Sequence, residues 1–362
     1  MHASSDGPMD TPETLDVWTA GTGGYHTYRI PALEVTASGA VLAFCEGRRD
    51  GSGDTGQIDL LLRRSDDGGR TWGPSRVIVT RPDMTCGNPA PVLDRQTGTI
   101  WLPFCMNRAD GDEAMIRKGL APRTVWVTRS DDDGETWADP VEITADVKRP
   151  GWTWYATGPC HAIQLRSGRL VVPCDFRSLD AATGAEARHS HVITSDDHGA
   201  TWQVGGVVDI EGTNESVAVE LADGRVFLNC RDQARRGRRV VATSDDGGTT
   251  FGPAQFEDTL IEPACQASAI TMPAWASRHA GAVVFANPAS ATRDTLTLRL
   301  GSPDAATWTA GRVLEAGRAA YSDLAVVPDR SVGDAVVLCL YETGEATPYE
   351  TLRLARVPIG WL

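Results

Sequence analysis

Long apolar runs are missing from this sequence. Nothing approaches the ~18 consecutive apolar residues that would span a bilayer as a helix, and the first stretch, Met1–Asp16, is polar. No signal peptide is legible, which fits a cytoplasmic protein or a secreted or periplasmic one whose leader has been removed. Positive charge is also scarce: 34 Lys and Arg stand against 48 Asp and Glu, a net charge of −14. That balance argues against nucleic acid and against an anionic membrane surface as partners, and leaves a small anion only a local cluster of arginines to bind. Cysteine pairs with metal or redox spacing are absent. The eight cysteines, at positions 45, 86, 105, 160, 174, 230, 265 and 339, mostly lie in apolar strand-like runs such as Val41–Cys45 and Val336–Cys339. Buried free thiols are expected, with no metal site and no cofactor. Long segments of 3.6-residue periodicity are missing too, so helix is expected to be minor.

What the chain has instead is a repeated octet. Ser65–Trp72 reads Ser-Asp-Asp-Gly-Gly-Arg-Thr-Trp, and variants recur at Ser130–Trp137, Ser195–Trp202 and Ser244–Phe251, with a shortened copy at Ser302–Trp308. In each full copy the Asp can accept hydrogen bonds from the backbone and from Thr, the Gly can take a positive φ, and the terminal aromatic is an apolar anchor. The octet is a structural turn by its chemistry. Its full copies start 65, 65 and 49 residues apart, which marks one supersecondary unit repeated around a ring. Between octets the chain alternates Gly turns (Ser38-Gly39, Thr97-Gly98, Ser167-Gly168, Asp223-Gly224) with β-rich runs. At about 60 residues per unit the 362-residue chain is expected to form an all-β, six-bladed propeller. No segment reads as a linker, so one domain over 1–362 is expected, with about 1–14 as a poorly ordered tail. Pairing Leu15–Thr19 with Thr351–Val357 in one blade would close the ring and remove the sheet edges.

With the octets assigned to one face, chemistry is expected in the loops of the other. Candidate residues there are Arg29 in Tyr28-Arg-Ile-Pro31, Arg48 after Glu46, Asp54 in a Gly-rich loop, Glu215, Arg231, Arg293, Tyr321 and Glu342. Arg48 would either contact a substrate hydroxyl or pair with Glu46 or Asp50. Met84, Trp154, Tyr155 and His161 are candidates for the pocket wall, with core packing as the alternative for each. Asp66, Asp67, Asp131 and Asp132 belong to turns and are excluded from catalysis.

Together these motifs resemble the exo-sialidase family, the retaining hydrolases that remove terminal sialic acid. The resemblance runs from Tyr28 to Glu342. It rests on Tyr28-Arg29-Ile30-Pro31, on Glu215 and Arg231 sixteen residues apart with Glu220-Leu-Ala-Asp-Gly224 between them, and on Arg293 lying 28 residues before Tyr321-Ser322. The resemblance implies Arg29, Arg231 and Arg293 as a clamp for the substrate carboxylate and Tyr321 as nucleophile. It further implies Glu215 as the base for that tyrosine, Asp54 as acid/base and Glu342 as the carboxylate that holds Arg29. One departure is Cys160-His161-Ala162, where glycines are more usual. The roles also make sense from the chemistry. A 2-keto sugar acid carries a carboxylate on its anomeric carbon, so a carboxylate nucleophile would meet a like charge, and a phenol avoids this. A phenol with a pKa near 10 needs a base, and guanidinium forks bind carboxylate bidentately. Sialylated glycans are the implied substrates. A hydrolase for a related 2-keto sugar acid would share the same residues, whereas a non-catalytic sugar-binding or protein-binding propeller would need no base-activated phenol.

Overall fold

The computed structural model describes residues 11–180, 182–329 and 333–362. The fold is all-β. Helix is limited among the described residues to Glu113–Arg117, Thr144–Val147 and a terminal 3₁₀ turn, Ile359–Trp361. Strands follow one another as antiparallel meanders, of which Thr27–Val35, Val41–Arg48, Ile58–Ser65 and Arg76–Val79 form the first. Later meanders begin at Met84, Trp152, Thr213 and Ser268, and the last combines the second half of Arg312–Asp329 with Asp334–Gly344 and Thr351–Pro358. The N-terminal strand Glu13–Thr19 completes that last meander, with Leu15 opposite Leu354. Expected tail residues 13 and 14 are therefore strand; residues 1–10 lie outside the described residues.

Hydrogen bonding joins the meanders into four sheets rather than separate units. Two local features cause this. A parallel bridge between Ile58 and Thr85 links the first two meanders. The 18-residue strand Arg312–Asp329 serves as the outer strand of one meander through Arg312–Arg318 and as the first strand of the next through Arg318–Asp329.

The octets form the turns their composition suggests. In the first, Asp67 Oδ1 and Oδ2 accept from Thr71 N–H and Oγ1–H at 2.8 and 2.6 Å, and Ser65 Oγ accepts from Gly69 N–H at 2.8 Å. Gly69 has φ +86°, and a Cβ there would lie 2.8 Å from Leu354 Cδ2, so side chains are excluded by conformation and space alike. The terminal aromatics point across to the neighbouring meander. Trp72 packs into the core of the last one, Trp137 meets Phe44 edge-on at 5.8 Å, and Trp202 meets Trp101 at 6.3 Å. Each octet thus ties its own meander to the one before it in the ring of contacts.

Register decides which end of the strands carries chemistry. Ser65 pairs with Val41 and Ser244 with Val226, so octets follow the end where second strands begin. At the opposite end Thr27 pairs with Arg48, Thr213 with Asp232 and Ala319 with Thr343. Arg29, Arg48, Glu215, Arg231, Tyr321 and Glu342 all lie within a few residues of those pairs.

Candidate active site

Three strands that contribute to the site are irregular at the contributing residue. The ladder slips between Arg29 and Ala32, between Thr213 and Ser216, and between Ala319 and Ser322, which brackets Arg29, Glu215 and Tyr321. Bulges bend a strand and re-aim its side chains, and here they turn them toward one centre. Ile30 has φ +60°, a conformation that costs a β-branched residue about 1–3 kcal/mol.

Glu342 holds this arrangement together. It is fully buried; its Oε1 accepts from Arg29 Nε (2.9 Å) and Ile30 N–H (3.0 Å), and its Oε2 accepts from Arg29 Nη2 (3.2 Å) and Tyr321 N–H (3.1 Å). One carboxylate therefore fixes the first arginine, the strained Ile30 and the backbone of Tyr321 together. Gln266 grips the following peptide, accepting from Ser322 N–H at 2.9 Å and donating to Ser322 C=O at 2.9 Å.

Tyr321 is 6% exposed, and its hydroxyl donates to Glu215 Oε1 at 2.5 Å and accepts from Arg231 Nη1 at 3.0 Å. Arg231 also pairs with Glu215 Oε2, and its Nε is buried with no partner. The guanidinium carbons of Arg29 and Arg293 lie 5.1 and 5.3 Å from the centre of the Tyr321 ring. Burial, and next the Glu215 charge, push the Tyr321 phenol well above its ordinary value, although the three guanidiniums pull the other way. The hydroxyl is thus a neutral group with a carboxylate ready to take its proton.

Asp54 lies on the loop between Arg48 and Ile58 with its side chain 66% exposed, 2.7 Å from Arg48 Nη1 and 3.5 Å from Arg29 Nη1. The partial burial of its surroundings opposes ionisation, but Arg48 and Arg29 outweigh it and hold the carboxyl below the usual carboxylate range. Arg48 itself is 3% exposed and pairs with Glu46, as one of its two expected alternatives has it. It also donates to Ser52 C=O at 2.6 Å, so it fastens the Asp54 loop.

The expected wall residues differ in their surroundings. Tyr155 is fully buried inside its meander, facing Trp152 and His191, so burial corrects its reading as a pocket residue. Trp154, on the opposite face of that strand, covers the Arg123 guanidinium at 4.4 Å. Met84 packs beside the core that contains Cys86 and Met106. His161 is corrected as well: its Nδ1 lies 2.7 Å from Asp323 Oδ1, and it lines a separate cavity of about 810 Å³. That cavity takes in Val35, Leu221 and Val326, five or six residues further along the strands that carry Arg29, Glu215 and Tyr321. Among the described residues Cys160, His161 and Asp323 bring three potential metal ligands within 4.8 Å. The Asp323 oxygens, however, already accept from His161, Ser268, Leu33 and Leu324.

The structure also brings in residues that sequence patterns did not single out. Tyr349 accepts from Arg293 Nη1 at 2.8 Å and lies 4.2 Å beneath the Arg29 guanidinium. Arg123 donates to Asn88 Oδ1 at 2.5 Å and to the Tyr155 carbonyl at 2.6 Å. The Asn88 N–H is in turn held by Glu46 at 2.8 Å. Each is a lone polar residue without local pattern, and nothing short of the fold groups them.

Comparison with known proteins agrees with the motifs. The family profile described as a BNR repeat-like domain matches residues 39–334. A sialidase of Micromonospora viridifaciens is 38% identical over 96% of this chain, which spans 54% of that protein's length. An exo-alpha-sialidase of Aspergillus fumigatus is 30% identical over 94% of this chain and 86% of its own length. Among solved structures, the Hadza microbial sialidase Hz136 superposes with a TM-score of 0.83 at 29% identity, covering 96% of this chain and 68% of that one. The Trypanosoma rangeli sialidase in complex with sialic acid shares the fold, with a TM-score of 0.75 at 18% identity over 96% of this chain and 59% of that one. From fold, repeats and these relatives, the chain belongs to the exo-alpha-sialidase family.

Proposed function

We propose that this chain is a retaining exo-glycosidase that removes terminal α-linked sialic acid from glycoconjugates through a tyrosine-linked intermediate, with its meanders as the blades of a six-bladed β-propeller. The observation that carries the reading is the Tyr321 hydroxyl, 2.5 Å from Glu215 and 3.0 Å from Arg231, with Arg29 and Arg293 alongside. A buried phenol set between a base and guanidinium groups has little structural purpose and suits nucleophilic attack beside a bound carboxylate. Sialidases with a tyrosine nucleophile are a known exception to the two-carboxylate scheme of glycosidases.

In the first step the Tyr321 oxygen forms a bond to the anomeric carbon as the bond to the leaving oxygen breaks. The phenolic proton passes to Glu215, and Asp54 delivers a proton to the leaving oxygen. In the second step water replaces Tyr321 at the anomeric carbon, with Asp54 as base and Glu215 returning the proton to the phenol. Arg29, Arg231 and Arg293 hold the carboxylate throughout, and the unpartnered Arg231 Nε is a donor in reserve. Asp54 must carry a proton to act as acid, yet Arg48 and Arg29 favour its charge in the ligand-free protein. A substrate carboxylate that takes over Arg29 weakens that hold, so proton uptake by Asp54 accompanies binding.

The test is a screen of aryl glycosides of several 2-keto sugar acids. Cleavage of the N-acetylneuraminic acid glycoside with the highest kcat/KM supports the reading. Preference for a sugar acid without the N-acetyl group would reassign the substrate, and no cleavage of any of them would overturn the enzyme.

A further inference from the structure

A carboxyl group that the reaction above leaves unused lies on a strand joined, through its neighbour, to the segment that carries Glu215. Asp175, in the strand Leu170–Leu179, is 2% exposed, and its Oδ1 is buried with no hydrogen-bond partner. In register it stands opposite Ser190. Ser190 donates through Oγ to the Asn214 carbonyl at 2.5 Å and through N–H to Thr213 Oγ1 at 3.0 Å. Thr213 and Asn214 begin the bulge that aims Glu215, so a single residue links the strand of Asp175 to the segment that carries the base. The Asn214 Oδ1, in that segment, is another buried acceptor without a donor.

A buried carboxylate oxygen with no donor is costly as an ion and much less so as an acid, because the acid has a proton to place instead of a charge to solvate. Burial first, and then the charge of Glu215, push Asp175 up to about 7 against the pull of Arg188, Arg177 and Arg123. The titratable neighbours on the other face of the sheet, Tyr155 and Cys174, are kept neutral by burial.

We propose that Asp175 is a positioning residue that acts through Glu215: as a neutral acid it leaves the negative charge of this part of the site on Glu215, and loss of its proton adds a second charge that opposes binding of an anionic sugar. This rests on the sialidase reading for its substrate but not for the state of Asp175. The sign is that of a carboxyl raised by burial. Below about pH 7 the proton is present and the anionic substrate meets one charge; above it the substrate meets two.

Two measurements test the proposal. In wild type, kcat/KM for a sialoside should fall roughly tenfold from pH 6 to pH 8 through a rise in KM, the effect of one like charge at an effective dielectric near ~20. Both proteins are assayed with an activated aryl sialoside, whose leaving group needs little help from Asp54; in Asp175→Asn, which keeps the shape and cannot ionise, the ratio of the two values should be close to one. The same limb in both proteins would overturn the proposal. Infrared difference spectra of wild type and Asp175→Asn at about pH 6 give a readout independent of turnover. A protonated-carboxyl band lost in the variant is expected, and a carboxylate band lost instead would overturn the proposal even if no sugar were cleaved.

Discussion

At the residue scale, most of the site's chemistry depends on the shape of guanidinium rather than its charge. Arg231 reaches Glu215 and Tyr321 from one nitrogen and keeps Nε without a partner. Lysine in its place would retain the charge and lose the fork. Arg231→Lys is expected to cost about 1.5–3 kcal/mol in transition-state binding, roughly 10- to 150-fold in kcat/KM. Activity equal to wild type, or undiminished cleavage of a substrate methyl ester, would remove the carboxylate clamp from the account. Asp54 and Glu215 are separated by their dependence on the leaving group. A general acid matters when the departing oxygen leaves poorly, so Asp54→Ala should slow a natural sialyl-galactoside by roughly 10²–10⁴-fold and an activated aryl sialoside much less. Glu215→Ala should slow both similarly, because a missing base weakens the nucleophile whatever departs. Equal slowing of both substrates by Asp54→Ala would reduce Asp54 to a positioning role. Sequence made these residues visible unevenly. Arg29, Glu215 and Arg231 stand in recognisable surroundings, whereas Asp175 is one acid inside an ordinary strand. Tyr155 was left between pocket wall and core because Trp152, Trp154 and Tyr155 crowd one segment, and only the strand's alternation and bulge decide which ring turns inward.

At the scale of elements, the octets were legible because each turn is closed by residues within eight positions of one another. Asp132 receives hydrogen bonds from Thr136 Oγ1 and N–H, and these hold its carboxyl at about 2. Asp246 is held at about 2 in the same way, first by the Thr250 N–H. The folded pKa is depressed below the ordinary ~3.9, so the stabilisation is present above about pH 4 and is lost as pH falls toward 2. Thermal melts across that range should therefore show falling stability. Asp132→Asn should lower the melting temperature at neutral pH by about 1–3 °C, the small effect of an exposed turn, and flatten part of the acid slope. An unchanged slope would mean that this octet contributes nothing to acid lability. The bulges at Arg29, Glu215 and Tyr321 were not legible, since a bulge is a relation between two strands and leaves no mark in one of them.

At the scale of the whole molecule, the site is drawn from segments hundreds of residues apart: Glu342 holds Arg29 across 313 positions and Glu215 meets Tyr321 across 106. The N-terminal strand matters for the same reason. Trp18 is 2% exposed, stacks on Tyr28 at 6.2 Å and donates to Ser75 Oγ at 3.0 Å, which ties the strand Glu13–Thr19 to the meander that carries Arg29. Trp18→Ala is expected to cost about 3–5 kcal/mol in equilibrium denaturation, and a loss below about 1 kcal/mol would show that this junction is dispensable. That the two ends pair was legible from strand-like runs at both termini, while the merging of meanders through Arg312–Asp329 was not, because one long strand and two short ones have the same composition. The distant segments converge on the hydroxyl of Tyr321, and the central claim is that this oxygen forms the bond to the sugar. A fluorinated sialoside that slows the second step should leave a covalent adduct, located by mass spectrometry of proteolytic fragments. The account predicts the label on Tyr321 and none in Tyr321→Phe; a label on Asp54 or Glu215 would contradict it.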